Sequence, residues 1–322
     1  MLESEVLKIL HIVPGLDNPF NGIAAAAKLI ANEQAAEIVD AREFGKIKDL
    51  EKYEEVWVHS CWLPMTFKAC WRVVKAKRPL VRMTHANLDP VRLRYHGWKK
   101  WLVGPIERYF LRRADRIVAT CEAEAEWVRM YLGKKCPEIE VTDVKRFFKL
   151  THKIHEIHEK SSAKLNVLYL GRRHPLKGVK YLEKAVKELG VRSQWVGVRD
   201  VENNSKLETR NLELKIVSNA FGEELEKVWE WCDVLVLPTL SENFGLVVAE
   251  ALERGKRVIT TDGAPVWGEE ESGGACECVR EGVVGRLGGK LIYLKGYRDG
   301  SDEERVKLLT TAILTVSRDE MI

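Results

Sequence analysis

Two carboxylates stand eight residues apart in the segment Ser241-Glu-Asn-Phe-Gly-Leu-Val-Val-Ala-Glu250. The run before them, Val234–Leu237, reads as a buried strand stopped by Pro238, and a polar loop leads on to a helix opening near Asn243. Asparagine is a good N-cap, and Gly245 in the first turn lets a ligand approach the backbone closely. The amides of Phe244, Gly245 and Leu246, backed by the positive helix end, suit a phosphate or sugar oxygen. Glu242 lies in the loop facing that point. Glu250, about two turns into the helix, shares its azimuth. One carboxylate can then meet a sugar while the other meets hydroxyls deeper in. A glutamate that merely complements the helix dipole explains Glu242 but not Glu250.

Cations come from a second segment, Leu168-Tyr-Leu-Gly-Arg-Arg-His-Pro-Leu-Lys-Gly178. The strand Leu165–Leu170 ends there, throwing Arg172 and Lys177 outward, and Gly178 opens the next helix. Two cations can neutralise a diphosphate and the charge it develops on leaving. Arg173 competes with Arg172 for that role. In the N-terminal half, Leu10-His-Ile-Val-Pro-Gly is followed by Asn21-Gly22-Ile-Ala-Ala-Ala, a strand and a glycine-bearing loop. Val81-Arg-Met-Thr-His-Ala-Asn-Leu-Asp-Pro90 places His85 and Asp89 at another strand end. A lone histidine in such a place is structural more often than not.

The elements that must position these residues alternate. Lys8–Val13, Glu37–Asp40, Val56–His59, Leu80–Thr84 and Arg116–Thr120 read as strands. Ile23–Gln34, Met65–Lys77, Trp98–Arg113 and Ala123–Leu132 read as helices between them, with Pro105 expected to kink or interrupt its helix. A polar stretch containing His152, His155 and His158 breaks the pattern, and its spacing reads as surface linker rather than a metal site. A second series follows: strands Leu165–Leu170, Ser193–Val196, Leu212–Ile216, Val234–Leu237 and Arg257–Thr260, and helices Val179–Leu189, Glu223–Cys232, Phe244–Arg254 and Glu303–Val316. The expected architecture is α/β, with Rossmann-like domains over 1–150 and 165–322, a linker over 151–164, and a cleft between them at the strand ends.

Composition narrows the function classes. Hydrophobic residues at 45% and charged residues at 31% give a globular balance. No window holds the roughly 18 or more apolar residues of a membrane span, and the start lacks a basic n-region, so a cytoplasmic protein is expected. Seven scattered cysteines without Cys-x-x-Cys, including the pair Cys276-x-Cys278, read as reduced thiols. The net charge of +4 is modest. Its cations cluster from Arg92 to Arg116, interleaved with Trp98, Trp101, Tyr109 and Phe110. Such a stretch fits an anionic membrane surface, a phosphate-bearing acceptor or nucleic acid. A helix with one core face and one solvated basic face accounts for it equally.

Ser241–Glu250 resembles the Glu-x7-Glu signature of retaining glycosyltransferases of family 4, which have the GT-B fold of two facing Rossmann-like domains. The Gly-Arg…Lys-Gly element at Gly171–Gly178 is similar to that family's second motif. The resemblance implies that Glu242 lies at the donor sugar and that Asn243, Phe244, Gly245, Leu246 and Val247 offer backbone to sugar and phosphate oxygens. It implies Glu250 at the ribose, and Arg172 and Lys177 at the diphosphate. More loosely, Gly22 corresponds to the loop that approaches the phosphates. Val81–Pro90, with Trp98-Lys-Lys-Trp, looks like a subgroup that builds surface polysaccharides and lipopolysaccharide cores, which implies His85 beside the sugar and Asp89 on the acceptor side. Where relatives often carry glycine, this chain has Asn21 and Ala86, and Val196-Gly-Val-Arg replaces a base-contacting turn.

The activity so implied is transfer of a hexosyl group from a nucleotide-diphosphate sugar, UDP-glucose first and GDP-mannose second, to a saccharide or lipid-linked acceptor. No Asp-x-Asp follows a strand, so no obligatory metal or other cofactor is expected. An inactive nucleotide-sugar-binding partner subunit of the same fold is the main alternative. A nucleic-acid-binding protein is a weaker one, because it leaves both glutamates unexplained, and no nucleic-acid partner is expected.

Overall fold

The computed structural model describes residues 8–95, 97–148, 165–190, 193–196, 212–218, 220–268, 277–280, 283–286 and 291–319. They divide into two compact units, Met1–Phe147 and Phe148–Ile322. The linker segment with His152, His155 and His158, residues 197–211 and Cys276 lie outside the described residues.

In the first unit the chain runs β1 (Ile9–Val13), α1 (Gly22–Glu33), β2 (Glu37–Asp40), β3 (Glu55–His59), α2 (Pro64–Lys75), β4 (Leu80–Met83), α3 (Pro90–Arg94), α4 (Gly97–Leu111), β5 (Arg116–Ala119), α5 (Glu122–Leu132) and β6 (Glu138–Val141). The sheet order is β2-β1-β3-β4-β5-β6, with every described pairing parallel. Strand residues such as Leu10, Ile12, Val56, Val58, Val81 and Val118 are buried whichever way they point, as expected of a parallel sheet covered on both faces. Helix α4 runs through Pro105 without interruption, so of the expected kink or interruption the interruption does not occur. Pro105 is exposed, so the Trp101 carbonyl that loses its helical donor can turn to water. Sequence reasoning also missed α3 and the short, mostly exposed edge strand β6.

The second unit runs β7 (Leu165–Leu170), α6 (Val179–Glu188), β8 (Ser193–Val196), β9 (Leu212–Val217), α7 (Glu223–Trp231), β10 (Val234–Leu237), α8 (Leu246–Glu253), β11 (Arg257–Thr261), β12 (Glu277–Arg280), β13 (Val283–Arg286), β14 (Leu291–Leu294) and α9 (Asp302–Asp319). Its sheet order is β12-β13-β14-β11-β10-β7-β9-β8. The core of that sheet is parallel, but β13 pairs antiparallel with both β12 and β14, an edge meander the sequence reading did not anticipate. Helix α9 packs on α6 and β14.

Both sheets change winding direction beside their first strand. In the first, β2 lies on one side of β1 and β3 on the other; in the second, β9 and β10 flank β7. The loops leaving the carboxyl ends of β1 and β3, and of β7 and β10, therefore border the crevices where open α/β sheets bind ligands.

Candidate functional site

In the second unit the two motif loops leave β7 and β10, on either side of that switch point. Tyr169 ends a buried stretch of β7 and its hydroxyl donates to the Arg172 carbonyl at 2.9 Å. A 3-10 turn, Pro175–Lys177, follows, capped by His174 Nδ1 accepting from Leu176 N at 3.2 Å. Gly178 then turns left-handed (φ 66°), and a Cβ there would lie 1.8 Å from the Pro238 carbonyl oxygen. The loops are joined by Leu240 N donating to Leu176 O at 2.8 Å, and Glu242 N donates to Gly263 O at 2.7 Å. Backbone contacts thus fix Lys177 opposite Glu242, and the Lys177 ammonium forms an ion pair with the Glu242 carboxylate. Arg172 is exposed, and its guanidinium makes no hydrogen bond or ion pair among the described residues. Burial raises the Tyr169 phenol's pKa; the Glu242 charge adds to that rise and the Arg172 charge opposes it. One buried hydroxyl therefore feels both motif loops.

The helix after Glu242 begins later than its sequence predicts. Its N-cap is Gly245, left-handed at φ 70°, rather than Asn243, and α8 opens at Leu246. A side chain in the left-handed region is disfavoured, which is why glycine serves there. Glu242 therefore precedes the helix, and Glu250 lies little more than one turn into it. The common azimuth expected for the two carboxylates has no helical basis. Phe244 is buried, its ring tilted against that of Trp267 with centroids 5.3 Å apart, while its carbonyl accepts from Trp267 Nε1 at 2.6 Å. Its side chain is core, leaving only its backbone for a ligand. Gly245 is buried, whereas Asn243, Leu246 and Val247 are half-buried. Glu250 is half-buried, its carboxylate forms no hydrogen bond or ion pair among the described residues, and burial raises its pKa. An acceptor held partly dry without a donor is one that a ligand hydroxyl can satisfy.

In the first unit, Gly22 opens α1 and a Cβ built on it meets nothing within 4 Å. Asn21 is the N-cap, accepting from Ile23 N at 3.2 Å, while its amide donates to Pro14 O at 2.7 Å and Gly15 O at 3.1 Å. The Asn21 amide thus gives the loop two ties. Asp40 at the end of β2 accepts from Leu16 N at 2.8 Å, and Arg42 bonded to it lowers its pKa to about 2.

His85 is fully buried just past β4. Among the described residues six non-glycines have positive φ, and four of these, Ser60, Trp62, His85 and Ala86, follow β3 and β4. Ala86 at 56° adopts a left-handed conformation that glycine would take more easily. Such strain persists only where its surroundings enforce it. Here Glu124 does so: its buried carboxylate accepts from Thr84 Oγ1 and Ala86 N, both at 2.6 Å, and from Thr120 N and Oγ1 at 2.8 and 2.7 Å. Arg82, fully buried, donates to Glu107 at 2.7 Å and to Ser60 O at 2.8 Å, and Glu107 also accepts from Trp62 N at 2.7 Å. Asp89 is buried as the N-cap of α3, accepting from Val91 N at 2.8 Å.

Sequence reasoning missed Glu124, Arg82 and Glu107, together with His11 and His59 on β1 and β3, which line up with His85 just past β4 (His11 Nδ1 to His59 Nε2 2.9 Å, His59 Nδ1 to His85 Nε2 2.8 Å). The signal available was a charged or imidazole side chain inside an otherwise apolar strand, as in Leu10-His-Ile and Trp57-Val-His59. Helix α4 differs from its expected form. Its buried side carries Gly104, Glu107, Phe110 and Leu111, while Trp98, Trp101, Leu102, Ile106 and Tyr109 are exposed. The outward face is thus aromatic as well as basic. Among the described residues no group of three or more His, Cys, Asp or Glu is arranged to hold a metal ion, and no helix is long and apolar enough to cross a membrane.

Comparison with known proteins supplies the family. Residues 13–142 match the glycosyl transferase 4-like domain, and residues 164–289 match the glycosyl transferases group 1 model. No curated protein matches the chain in sequence. Among solved structures it is similar to sucrose-phosphate synthase from Thermosynechococcus elongatus (14% identity, TM-score 0.55, covering 79% of this chain and 81% of that one). It is also similar to HepE from Anabaena in complex with UDP and glucose (16%, 0.55, 95% and 90%). A third is an E. coli trehalose-6-phosphate structure bound with UDP-2-fluoro glucose (10%, 0.53, 97% and 96%). Identities this low speak for the fold, which is GT-B. One glycosyltransferase model on each half, on two parallel Rossmann-like sheets, leads to a single conclusion: the chain belongs to the group 1, family 4-like glycosyltransferases, which use nucleotide sugars.

Proposed function

We propose that the protein is a retaining hexosyltransferase whose second unit holds the nucleotide-diphosphate sugar and whose first unit holds the acceptor. The observation that carries this reading is the Lys177–Glu242 ion pair, on two loops joined by backbone at the switch point, with the exposed Arg172 on the same loop as Lys177. A diphosphate arriving there meets two cations, one exposed and one released as Glu242 turns to the sugar hydroxyls. The amides from Asn243 to Val247 take phosphate and sugar oxygens, and Glu250 takes the ribose. The resemblance of their loops assigns Gly22 to the phosphates and His85 to the sugar.

The acceptor hydroxyl attacks from the face the diphosphate leaves, and the departing diphosphate, neutralised by Arg172 and Lys177, takes its proton. Neither glutamate has to become a covalent nucleophile. The protein contributes orientation and preorganised charge. UDP-glucose is the first donor to test, a choice supported by the UDP and glucose bound to HepE, and GDP-mannose is the second. A saccharide or lipid-linked acceptor fits the outward aromatic and basic face of α4, which rests on an anionic membrane surface of a cytoplasmic compartment.

Thermal-shift screening against UDP, GDP and ADP sugars, followed by product analysis with the ligand found, tests this reading. Stabilisation by one nucleotide sugar together with a product of unchanged anomeric configuration supports it. Binding without transfer to any acceptor or water favours the inactive partner subunit, and no binding at all would sink the site assignment.

A further inference from the structure

The start of α8 is tied to a third loop of the second unit. After β11 the chain passes Gly263, whose carbonyl accepts from Glu242 N at 2.7 Å, and enters a 3-10 turn at Pro265–Trp267. The approach is close: a Cβ on Gly263 would lie 2.1 Å from the Thr239 carbonyl oxygen, and Thr261 Oγ1 donates to that same oxygen. Backbone contacts thus hold this loop against the one that carries Glu242, and they bring Trp267 to the turn before α8. Its indole is buried, and Nε1 donates to the Phe244 carbonyl at 2.6 Å.

In the helix that the sequence predicts, Asn243 is the N-cap. Its side chain would accept from Gly245 N or Leu246 N, its carbonyl from Val247 N, and the Phe244 carbonyl from Val248 N. None of these bonds is present among the described residues. The Phe244 carbonyl goes to Trp267, Val248 N donates to Gly245 O at 2.8 Å, and no side chain caps α8. Leu246 and Val247, both half-buried, are left with N–H groups that have no acceptor among the described residues. Gly245 does not impose this start. Glycine enters the left- and right-handed regions about equally, so it permits the turn and leaves the choice to whatever holds the flanking peptide. An indole nitrogen can only donate, and the carbonyl turned toward it is turned away from the helical ladder.

We propose that Trp267 is a positioning residue of the donor site: its indole N–H holds the Phe244 carbonyl outside α8, so that the helix opens at Leu246 and the N–H groups of Leu246 and Val247 stay unspent for diphosphate oxygens. This rests on the reading of that loop as the diphosphate site. A diphosphate oxygen only accepts, so an amide already bonded to Asn243 has nothing to offer it. At the positive end of α8 an unspent amide favours an anion most. A tryptophan that merely filled the core would serve as well without its N–H.

The test uses the full chain and two variants that each keep an aromatic ring. Trp267→Phe removes the N–H that holds Phe244. Trp229→Phe is the control, because Trp229 is as deeply buried in the same unit and its Nε1 has no hydrogen-bond partner among the described residues. Titration with UDP and with uridine separates phosphate contacts from those of the nucleoside. In Trp267→Phe the affinity for UDP should fall about 10- to 100-fold, the worth of one hydrogen bond to a charged group, with uridine kept within about threefold. Trp229→Phe should match the native protein for both ligands. Amide hydrogen exchange on 15N-valine-labelled protein, with Val247 assigned through Val247→Ile, reads the helix start directly. The Val247 N–H should exchange freely in the native protein and slow in Trp267→Phe, where the Asn243 carbonyl takes it. A protected Val247 in the native protein, which needs no variant to detect, overturns the proposal. So does unchanged UDP affinity in Trp267→Phe, or an equal loss for UDP and uridine, the mark of a loop that has only loosened. If the native protein binds no UDP, the diphosphate reading fails, and the exchange of Val247 still decides whether Trp267 sets the start of α8.

Discussion

Lys177 and Glu242 form an ion pair although 65 residues separate them in sequence, because Leu240 N and Leu176 O join the loops that carry them. Without donor, each partner occupies the other. Removing the carboxylate charge by Glu242→Gln should therefore free the ammonium for phosphate. Calorimetry is expected to show UDP binding tightened by about three- to tenfold, the worth of one partly exposed pair, while turnover falls. Weaker UDP binding in this variant would contradict the division of roles between the two side chains.

Arg172 is exposed and without a partner among the described residues. Arg172→Ala should leave the thermal midpoint nearly unmoved, within about 0.5 kcal/mol as for ordinary surface changes. Its turnover should fall about 10²- to 10³-fold if it acts like one preorganised donor. Steady-state kinetics beside a melting curve separates the two effects, and a variant at full rate would remove the guanidinium from the mechanism.

Two glycines should respond oppositely to alanine. At Gly22 an added Cβ meets open space, so Gly22→Ala is expected to keep or slightly raise stability, by up to about 1 kcal/mol, while raising the donor KM. At Gly178 the Cβ would run into the Pro238 carbonyl in a left-handed turn. Gly178→Ala should cost about 1–3 kcal/mol and separate the loop of Lys177 from that of Glu242. Urea titration of both variants checks the contrast.

The histidine line sets an acid limit. All three pKa values are depressed by burial; His11 and His85 add to the effect at His59, Arg82 depresses His59 and Arg92 depresses His85. Unfolding restores an ordinary value of about 6.5, so below that pH the unfolded chain binds more protons than the native one. Stability is therefore unaffected above pH 6.5 and falls as pH drops toward the folded values. The slope is up to about 1.4 kcal/mol per pH unit for each histidine. Urea midpoints measured at pH 7.5, 6 and 5 should decline, and His11→Phe, which keeps a ring against Trp57, should flatten the decline. A midpoint constant down to pH 5 would contradict the buried neutral line.

Trp98 and Trp101 are 69% and 81% exposed on α4. If this face rests on an anionic membrane, replacing both by serine should abolish co-sedimentation with phosphatidylserine vesicles without lowering the melting temperature. The native protein should lose the same binding as salt rises, since Lys and Arg contribute through a screened attraction.

The layout of strands and helices was readable because buried parallel strands keep continuous apolar runs and the helices between them keep a period of about 3.6, and both motif loops fell where that pattern placed them. The later start of α8 was not readable. Asn243 has the better capping chemistry, yet Gly245 alone takes the left-handed turn without penalty, and backbone geometry decided between them. The antiparallel edge β12–β13–β14 is made of short runs that carry too little period to recognise. The polar network under the first sheet was invisible for another reason. Arg82, Glu107, Glu124, His11 and His59 come from different elements, and nothing local says that they meet.

Glu107 gives one consequence for α4. One of its oxygens holds the guanidinium of Arg82 and the other the Trp62 amide, so the helix is bolted from beneath at a dry point where no water can stand in for a lost contact. Sliding or rolling α4 would strand a charge. The tryptophans on its outer side are accordingly carried on a stiff mount rather than a hinged flap, and a load applied to them reaches the turn after β3 directly.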